Sequence, residues 1–114
     1  MATIIDPASA QSLIQEYQQQ NAAPEGPANK THEGHHLKGF FLDRASLEHL
    51  LSNPNAAGVS LYLAKHPDHV GSPENRLTLL YSGAEANTAE GGDAPTYITT
   101  GPMYGDTPPC PTYC

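Results

Sequence analysis

The chain has 114 residues, the usual length of one domain, and at that size a core can form without disulfides. It carries 12 acidic and 5 basic residues, a net charge of −7 with neutral histidines. Nucleic acid is not an expected partner, because contacts to phosphates need clustered Lys and Arg, and the five basic residues here are scattered.

The first predicted element is an N-terminal helix over residues 1–21 that begins at a readable cap. Asp6 can accept hydrogen bonds from the first-turn amides, and Pro7 suits the first helical position. The helix is expected to end near Asn21, before the proline-rich segment that contains Pro24. Its apolar stripe has helical spacing and consists of Ala10, Leu13, Ile14 and Tyr17.

Residues 22–37 show neither a helical nor a strand period and predict a histidine- and proline-rich linker. A short β-prone segment, residues 39–42, follows it. Asp43 is the expected N-cap of a second helix, whose buried stripe would contain Leu47, Leu50 and Leu51. This helix is expected to end at Pro54.

Residues 59–64, 76–81 and 96–100 each alternate apolar and polar side chains, which predicts three strands. The order of elements favours an α+β fold: a small antiparallel sheet of three to four strands, with two helices packed on one face. The prediction is one domain, residues 1–114, with its core at 38–100. Residues 101–114 form an extended, proline-rich C-terminal tail, because prolines exclude a helix or a central strand there.

Several short segments between Lys38 and Cys114 follow a recurrent layout: Gly39-Phe40-Phe41-Leu42-Asp43, the strand beginning Gly58-Val59, Leu77-Thr78-Leu79, and the Cys-Pro ending. The layout resembles a group of small, uncharacterised bacterial proteins with a Gly-Phe-Phe-x-Asp segment and a cysteine-proline C-terminus. The resemblance covers residues 38–114 and implies a small α+β domain. It implies no catalytic residue, and the histidine-rich linker is not part of it.

Both cysteines, Cys110 and Cys114, lie in the last five residues, which suggests a metal site, a disulfide or a reactive dithiol. With three residues between them they fall within the spacing of structural zinc sites, and His66-Pro67-Asp68-His69 can supply a second ligand pair. No cofactor is expected in the first place, because histidines of a polar linker are usually solvated, and zinc is the candidate if one is bound. The candidate metal ligands are Cys110, Cys114, His66, His69, His35 and His36, with His32 a further histidine of the same linker.

Other chemistry is less favoured by the pattern. A redox dithiol normally has two residues between its cysteines, at a helix N-terminus, and neither condition is met by Cys110 and Cys114. Ser60 and Thr78 lack the glycines of a nucleophile elbow, and the acidic loop with Glu90 and Asp93 lacks the spacing of a calcium loop. No catalytic residue is therefore assigned, and the chain is not expected to be an enzyme.

Interaction with a protein, possibly a second copy, is the primary functional expectation. Tyrosine is favoured at interfaces, and the tail must pack on the body, bind a partner or extend into solvent. The expected interaction residues are Tyr104, Tyr113, Cys110 and Cys114. The alternative is a small metal-binding protein. No apolar run approaches the ~20 residues that span a bilayer, and no signal peptide is recognisable, so the expected location is the cytoplasm.

Overall fold

The computed structural model describes residues 2–87 and 96–110, and these confirm the predicted α+β class. Helices and strands are separate in the chain, as expected from the sequence pattern. No helix in these two ranges is long and apolar enough to cross a membrane. The elements are α1 (Pro7–Ala22), β1 (Gly39–Phe40), α2 (Arg44–Leu51), β2 (Gly58–Lys65), β3 (Leu77–Ala86), β4 (Tyr97–Tyr104) and β5 (Pro109–Cys110).

The main sheet has three antiparallel strands in the order β2-β3-β4, which confirms the predicted strand number and direction. Leu61 lies opposite Tyr81, and Tyr81 lies opposite Tyr104. The central strand β3 buries four successive residues, 81–84, because both of its edges are paired and α2 packs against the sheet. Ser82 is fully buried, and its hydroxyl donates to the carbonyls of Thr100 and Pro102 in β4.

Both helices begin at the predicted caps. A carboxylate oxygen of Asp43 accepts from the Ser46 N–H at 3.1 Å, and Asp6 does the same for Ser9 at 3.2 Å. The α2 helix packs on β2 and β3 and buries Leu50.

The packing of α1 differs from the expectation that two helices cover one face of the sheet. Leu13 and Ile14, in the middle of its apolar stripe, are 59% and 48% exposed. The buried residue of α1 is Asn21, whose side chain makes two hydrogen bonds to the backbone of Asn29. Helix α1 is therefore attached to the following loop through a polar residue at its C-terminal end, and its apolar stripe faces solvent.

The linker after α1 forms a loop, as predicted, but it is fixed to the sheet. The Lys30 N–H donates to the carbonyl of Asn75 at 2.8 Å, and the Leu77 N–H donates to the carbonyl of Lys30 at 3.0 Å. Lys30 also pairs with His36, which closes a turn around the fully buried Thr31. The histidine-rich segment, residues 31–36, therefore lies beside the start of β3.

The described part of the tail, which ends at Cys110, packs on the body, and β5 pairs antiparallel with β1. The Lys38 N–H donates to the carbonyl of Cys110 at 2.7 Å, and the buried Thr107 hydroxyl donates to the carbonyl of Leu79 at 2.7 Å. Residues 101–104, predicted to belong to the tail, are instead the end of β4. This is possible despite Pro102 because β4 is an edge strand, where a missing N–H leaves no ladder bond unmade.

Candidate metal centre

Three histidines from two separate loops converge at one end of the sheet: His32, His66 and His69. One side-chain nitrogen of each lies within 4.8 Å of the others. The Nδ1 atom of His32 lies 3.1 Å from Nε2 of His69, and the rings of His32 and His66 stack with centroids 4.1 Å apart. We call these residues the histidine triad. Within residues 2–87 and 96–110, these three side chains form the group of candidate ligands that lie close enough to share one ion.

Two members of the triad are held by a single turn of 3₁₀-helix, Pro67–His69, directly after β2. Side chains three residues apart are eclipsed in a 3₁₀-helix, so His66 and His69 project to the same side. Pro67 favours this turn because its ring fixes the backbone angle of the first position. The His66 N–H donates to the carbonyl of Arg76 at 2.7 Å, which ties the turn to the neighbouring strand.

The third member, His32, is positioned by Arg76. The Nη1–H of Arg76 donates to the carbonyl of His32 at 2.8 Å, and the Nε–H of Arg76 donates to the carboxylate of Glu74 at 2.7 Å. The guanidinium also packs over Gly34, where a Cβ would lie 3.3 Å from Nη1 and where φ is +94°. The Arg76 hydrogen bond lowers the pKa of Glu74 below its ordinary value, which keeps this ion pair charged.

The spacing of the triad suits a small ion. Zinc–nitrogen bonds of about 2.0–2.1 Å in a tetrahedral site place two ligand nitrogens about 3.3 Å apart. The 3.1 Å between His32 and His69 is close to this value. A nitrogen of His66 lies within 4.8 Å of both, and its ring must rotate out of the stack with His32 to direct that nitrogen at the same ion.

Asp68 approaches the outer nitrogen of His32, with 3.6 Å between Oδ2 and Nε2. A carboxylate there favours a proton on Nε2, which leaves the Nδ1 lone pair directed at His69. Metal-ligating histidines commonly have such a partner, which fixes the tautomer and the ring orientation.

The protonation of His66 favours a ligand role, with one rearrangement. Burial lowers the pKa of His66 below its ordinary value, and the neighbouring His32 lowers it further, which favours the neutral ring that a metal ligand requires. Its Nδ1 accepts from the Asp68 N–H at 3.1 Å. Coordination through Nδ1 exchanges this hydrogen bond for the metal, whereas coordination through Nε2 requires the proton to move to Nδ1.

The structure brings together two of the six predicted metal ligands, His66 and His69. His35 and His36 are exposed residues of the same loop as His32, and they lie outside the triad. Cys110 is disulfide-bonded, so its sulfur is not the thiolate that binds metals. Cys114 lies outside the described residues, as does Tyr113, and ligation by either cysteine stays a prediction for the reduced protein.

The remaining predicted interaction residue, Tyr104, is partly buried against α2 and β3. Its ring stacks on Tyr81 with centroids 5.7 Å apart, and its hydroxyl lies 3.2 Å from Nε2 of His49. These contacts give Tyr104 a packing role between the sheet and α2. A role in binding a partner stays a prediction.

The sequence did not single out His32 because its position depends on contacts between residues far apart in the chain. His-x-x-His at 66–69 is visible as a ligand pair, whereas His32 lies more than 30 residues earlier among three similar histidines. The available signal was Arg76 together with Gly34. Arg76 lies just before a predicted strand, and Gly34 lies in the histidine-rich loop. Because glycine has no side chain, the arginine can pack closely against the loop at this position.

Comparison of the chain with protein-family models, with curated proteins and with solved structures finds no match. The resemblance of residues 38–114 to small bacterial proteins stays a prediction, and the case for function depends on the geometry of the triad.

Proposed function

We propose that this protein binds a divalent transition metal, zinc in the first place, through the histidine triad. The observation that carries the proposal is the convergence of three imidazoles from two loops within 4.8 Å. Imidazole nitrogen is a preferred ligand of zinc and of its neighbours in the first transition series.

The arrangement of the triad supports this proposal over three separately solvated histidines, because ring nitrogens from two loops already lie within 4.8 Å of one another. When protonated, the three rings carry like charges a few ångströms apart, and such groups repel one another. When a metal ion binds, the rings are unprotonated and their nitrogen lone pairs coordinate the ion, so this repulsion is absent. Hydrogen bonds from Arg76 and from the His66 N–H also tie the backbone of the two loops, so metal binding has to reorient side chains but orders little additional backbone.

Elemental analysis of untagged protein tests the proposal, provided that no nickel resin is used in its preparation. After dialysis against zinc and removal of excess metal, the wild-type protein is expected to retain one zinc ion per chain. His32→Gln is expected to retain much less. His35→Gln, an exposed histidine of the same loop, is the matched control and retains one. Equal zinc in all three proteins, or none in the wild type, would overturn the proposal.

Assembly with a second copy is the second candidate function, and the exposed stripe of α1 favours it. The stripe contains Leu13, Ile14 and Tyr17, and α1 carries one charged residue, Glu16, so two copies of the helix can approach with little charge repulsion. Burial of apolar surface drives such association.

The exposed leucines of the edge strand β2, Leu61 and Leu63, add apolar surface to the molecule. An edge strand with exposed apolar side chains is a typical site for pairing with another chain. Both surfaces point to self-association rather than to a role that depends on catalysis.

A further inference from the structure

Two of the three members of the triad lie at the wall of a cleft. A cavity of about 230 Å³ is lined by His32 and His66 and by residues of the opposite wall, including Phe40, Asp106 and Thr107. The opposite wall consists of β1 and the segment that leads into β5, which the Thr107 hydroxyl fixes to Leu79. Three protein ligands leave at least one coordination position of a tetrahedral ion for a molecule from solution. The cleft provides that molecule with access to the ion.

The described lining of the cleft is acidic. The carboxylates of Glu33 and Asp106 line the cavity, and Asp68 lies at the outer edge of His32. Neither lysine nor arginine is among the residues that line it. Three carboxylates around a dication with neutral imidazole ligands leave a net charge of −1, so an additional anion gains little from the metal's charge. A neutral donor does not experience this repulsion.

The shape of the cleft favours a flat ligand. Phe40 and Leu77 provide apolar surface beside the two histidines, and Pro108 and Pro109 form a rigid part of the opposite wall. Ring faces of this kind stack with other flat rings at little cost in entropy. A volume of about 230 Å³ accommodates a single five-membered ring with its hydration.

We infer that the open coordination position takes a neutral nitrogen donor of the imidazole class, and that Glu33 and Asp106 select against anionic ligands. The ligand is a small imidazole or an imidazole side chain of a peptide. This inference rests on the proposed metal binding by the triad. It adds the chemical class of the fourth ligand and the two residues that determine it.

Cobalt-substituted protein tests the inference, because the visible absorption of Co²⁺ reports both coordination and exchange of its fourth ligand. At pH 8, imidazole and azide are titrated separately into the wild-type protein. The expected result is saturable spectral change with imidazole, at an affinity at least about tenfold higher than that for azide. The double variant Glu33→Gln, Asp106→Asn is expected to bind azide about tenfold more tightly while binding the same amount of cobalt.

The outcomes separate the inference from the proposed function. If the triad binds cobalt but azide binds as tightly as imidazole or more tightly, the inference alone is overturned. The inference is also overturned if the double variant binds azide with unchanged affinity. Failure of the wild-type protein to bind cobalt would overturn both. The control is Glu16→Gln, which removes an exposed carboxylate on α1 and is expected to leave both affinities unchanged.

Discussion

Arg76 organises the candidate site at the scale of single residues. It connects the loop of His32 to the strand that follows the loop of His66 and His69, although it is not itself a candidate ligand. Its guanidinium is well suited to this because two of its N–H groups are donated in fixed directions, one to Glu74 and one to the backbone. The three candidate ligands thus lie in or beside loops, and the side chain of Arg76 fixes the position of the loop that carries His32.

Replacing Arg76 by methionine is expected to weaken zinc binding about 10- to 100-fold, a loss typical of removing an outer-sphere partner. The stoichiometry should remain at one ion, because all three imidazoles are still present. Competition titration with a chromophoric chelator measures the affinity. Arg44→Met is the control, since Arg44 is exposed and pairs with Glu48 on α2. Equal affinity in the two variants would contradict the positioning role of Arg76.

The lowered pKa of His66 predicts how the stability of the metal-free protein depends on pH. Well above pH 6.5, the ordinary pKa of histidine, the ring of His66 is neutral in both folded and unfolded chains. As the pH falls below 6.5, the unfolded chain takes up the proton first, so the free energy of unfolding decreases. Denaturation in urea with EDTA at several pH values should therefore show a weaker pH dependence for His66→Gln. An unchanged dependence would contradict the assigned shift.

At the scale of elements, the sequence specified the strands and the helix starts better than their packing. Alternating side chains located β2 and β3, and the aspartates at 6 and 43 located both helix caps. The apolar stripe of α1 indicated a buried face, but such a stripe does not state which surface covers it. The attachment of α1 through Asn21 depends on two hydrogen bonds to Asn29, and no periodic pattern indicates these.

The tail illustrates the same difference between local and long-range information. Its prolines correctly predicted that residues 101–110 form no helix. Its pairing with β1 could not be predicted in this way, because it depends on backbone groups of a segment about 70 residues earlier in the chain. Likewise, His66 and His69 could be predicted as a pair from four adjacent residues. The docking of His32 required three-dimensional contacts.

Asn21 is the residue whose loss should most affect how α1 is attached. Asn21→Ala removes both hydrogen bonds and leaves the N–H of Asn29 unpaired in a partly buried site, a cost of about 1–3 kcal/mol, whereas the carbonyl of Asn29 still accepts from the Leu37 N–H. Chemical denaturation should report this loss. Gln19→Ala, at an exposed position of the same helix, should change stability by less than about 0.5 kcal/mol. Comparable effects of the two substitutions would contradict the anchoring role.

At the scale of the whole molecule, the small core makes stability dependent on what binds the folded state. Among the residues that the structure describes, the buried apolar ones are Leu37, Leu50, Tyr81, Ala84 and Cys110. A ligand at about 100 times its dissociation constant adds about 2.7 kcal/mol to the free energy of unfolding. Zinc that binds the histidine triad at the end of the sheet is therefore expected to stabilise the entire domain.

Self-association is a second property of the whole molecule and is independent of the metal. Leu13→Glu with Ile14→Gln is expected to reduce the mass measured by light scattering to that of one chain, because both substitutions place polar groups in the exposed stripe of α1. Gln11→Glu with Gln15→Glu, on the polar side of the helix, is the control. A wild-type protein that is monomeric at high concentration would contradict the assembly proposal.

The central claim is that three imidazoles, without a cysteine, hold the ion. X-ray absorption at the zinc edge of the loaded protein measures this directly, because zinc–nitrogen and zinc–sulfur bonds differ in length, about 2.0–2.1 Å against about 2.3 Å. We predict a first shell of nitrogen and oxygen atoms only, with the outer-shell scattering of three imidazole rings. A sulfur shell near 2.3 Å, or scattering from fewer than three rings, would contradict the account.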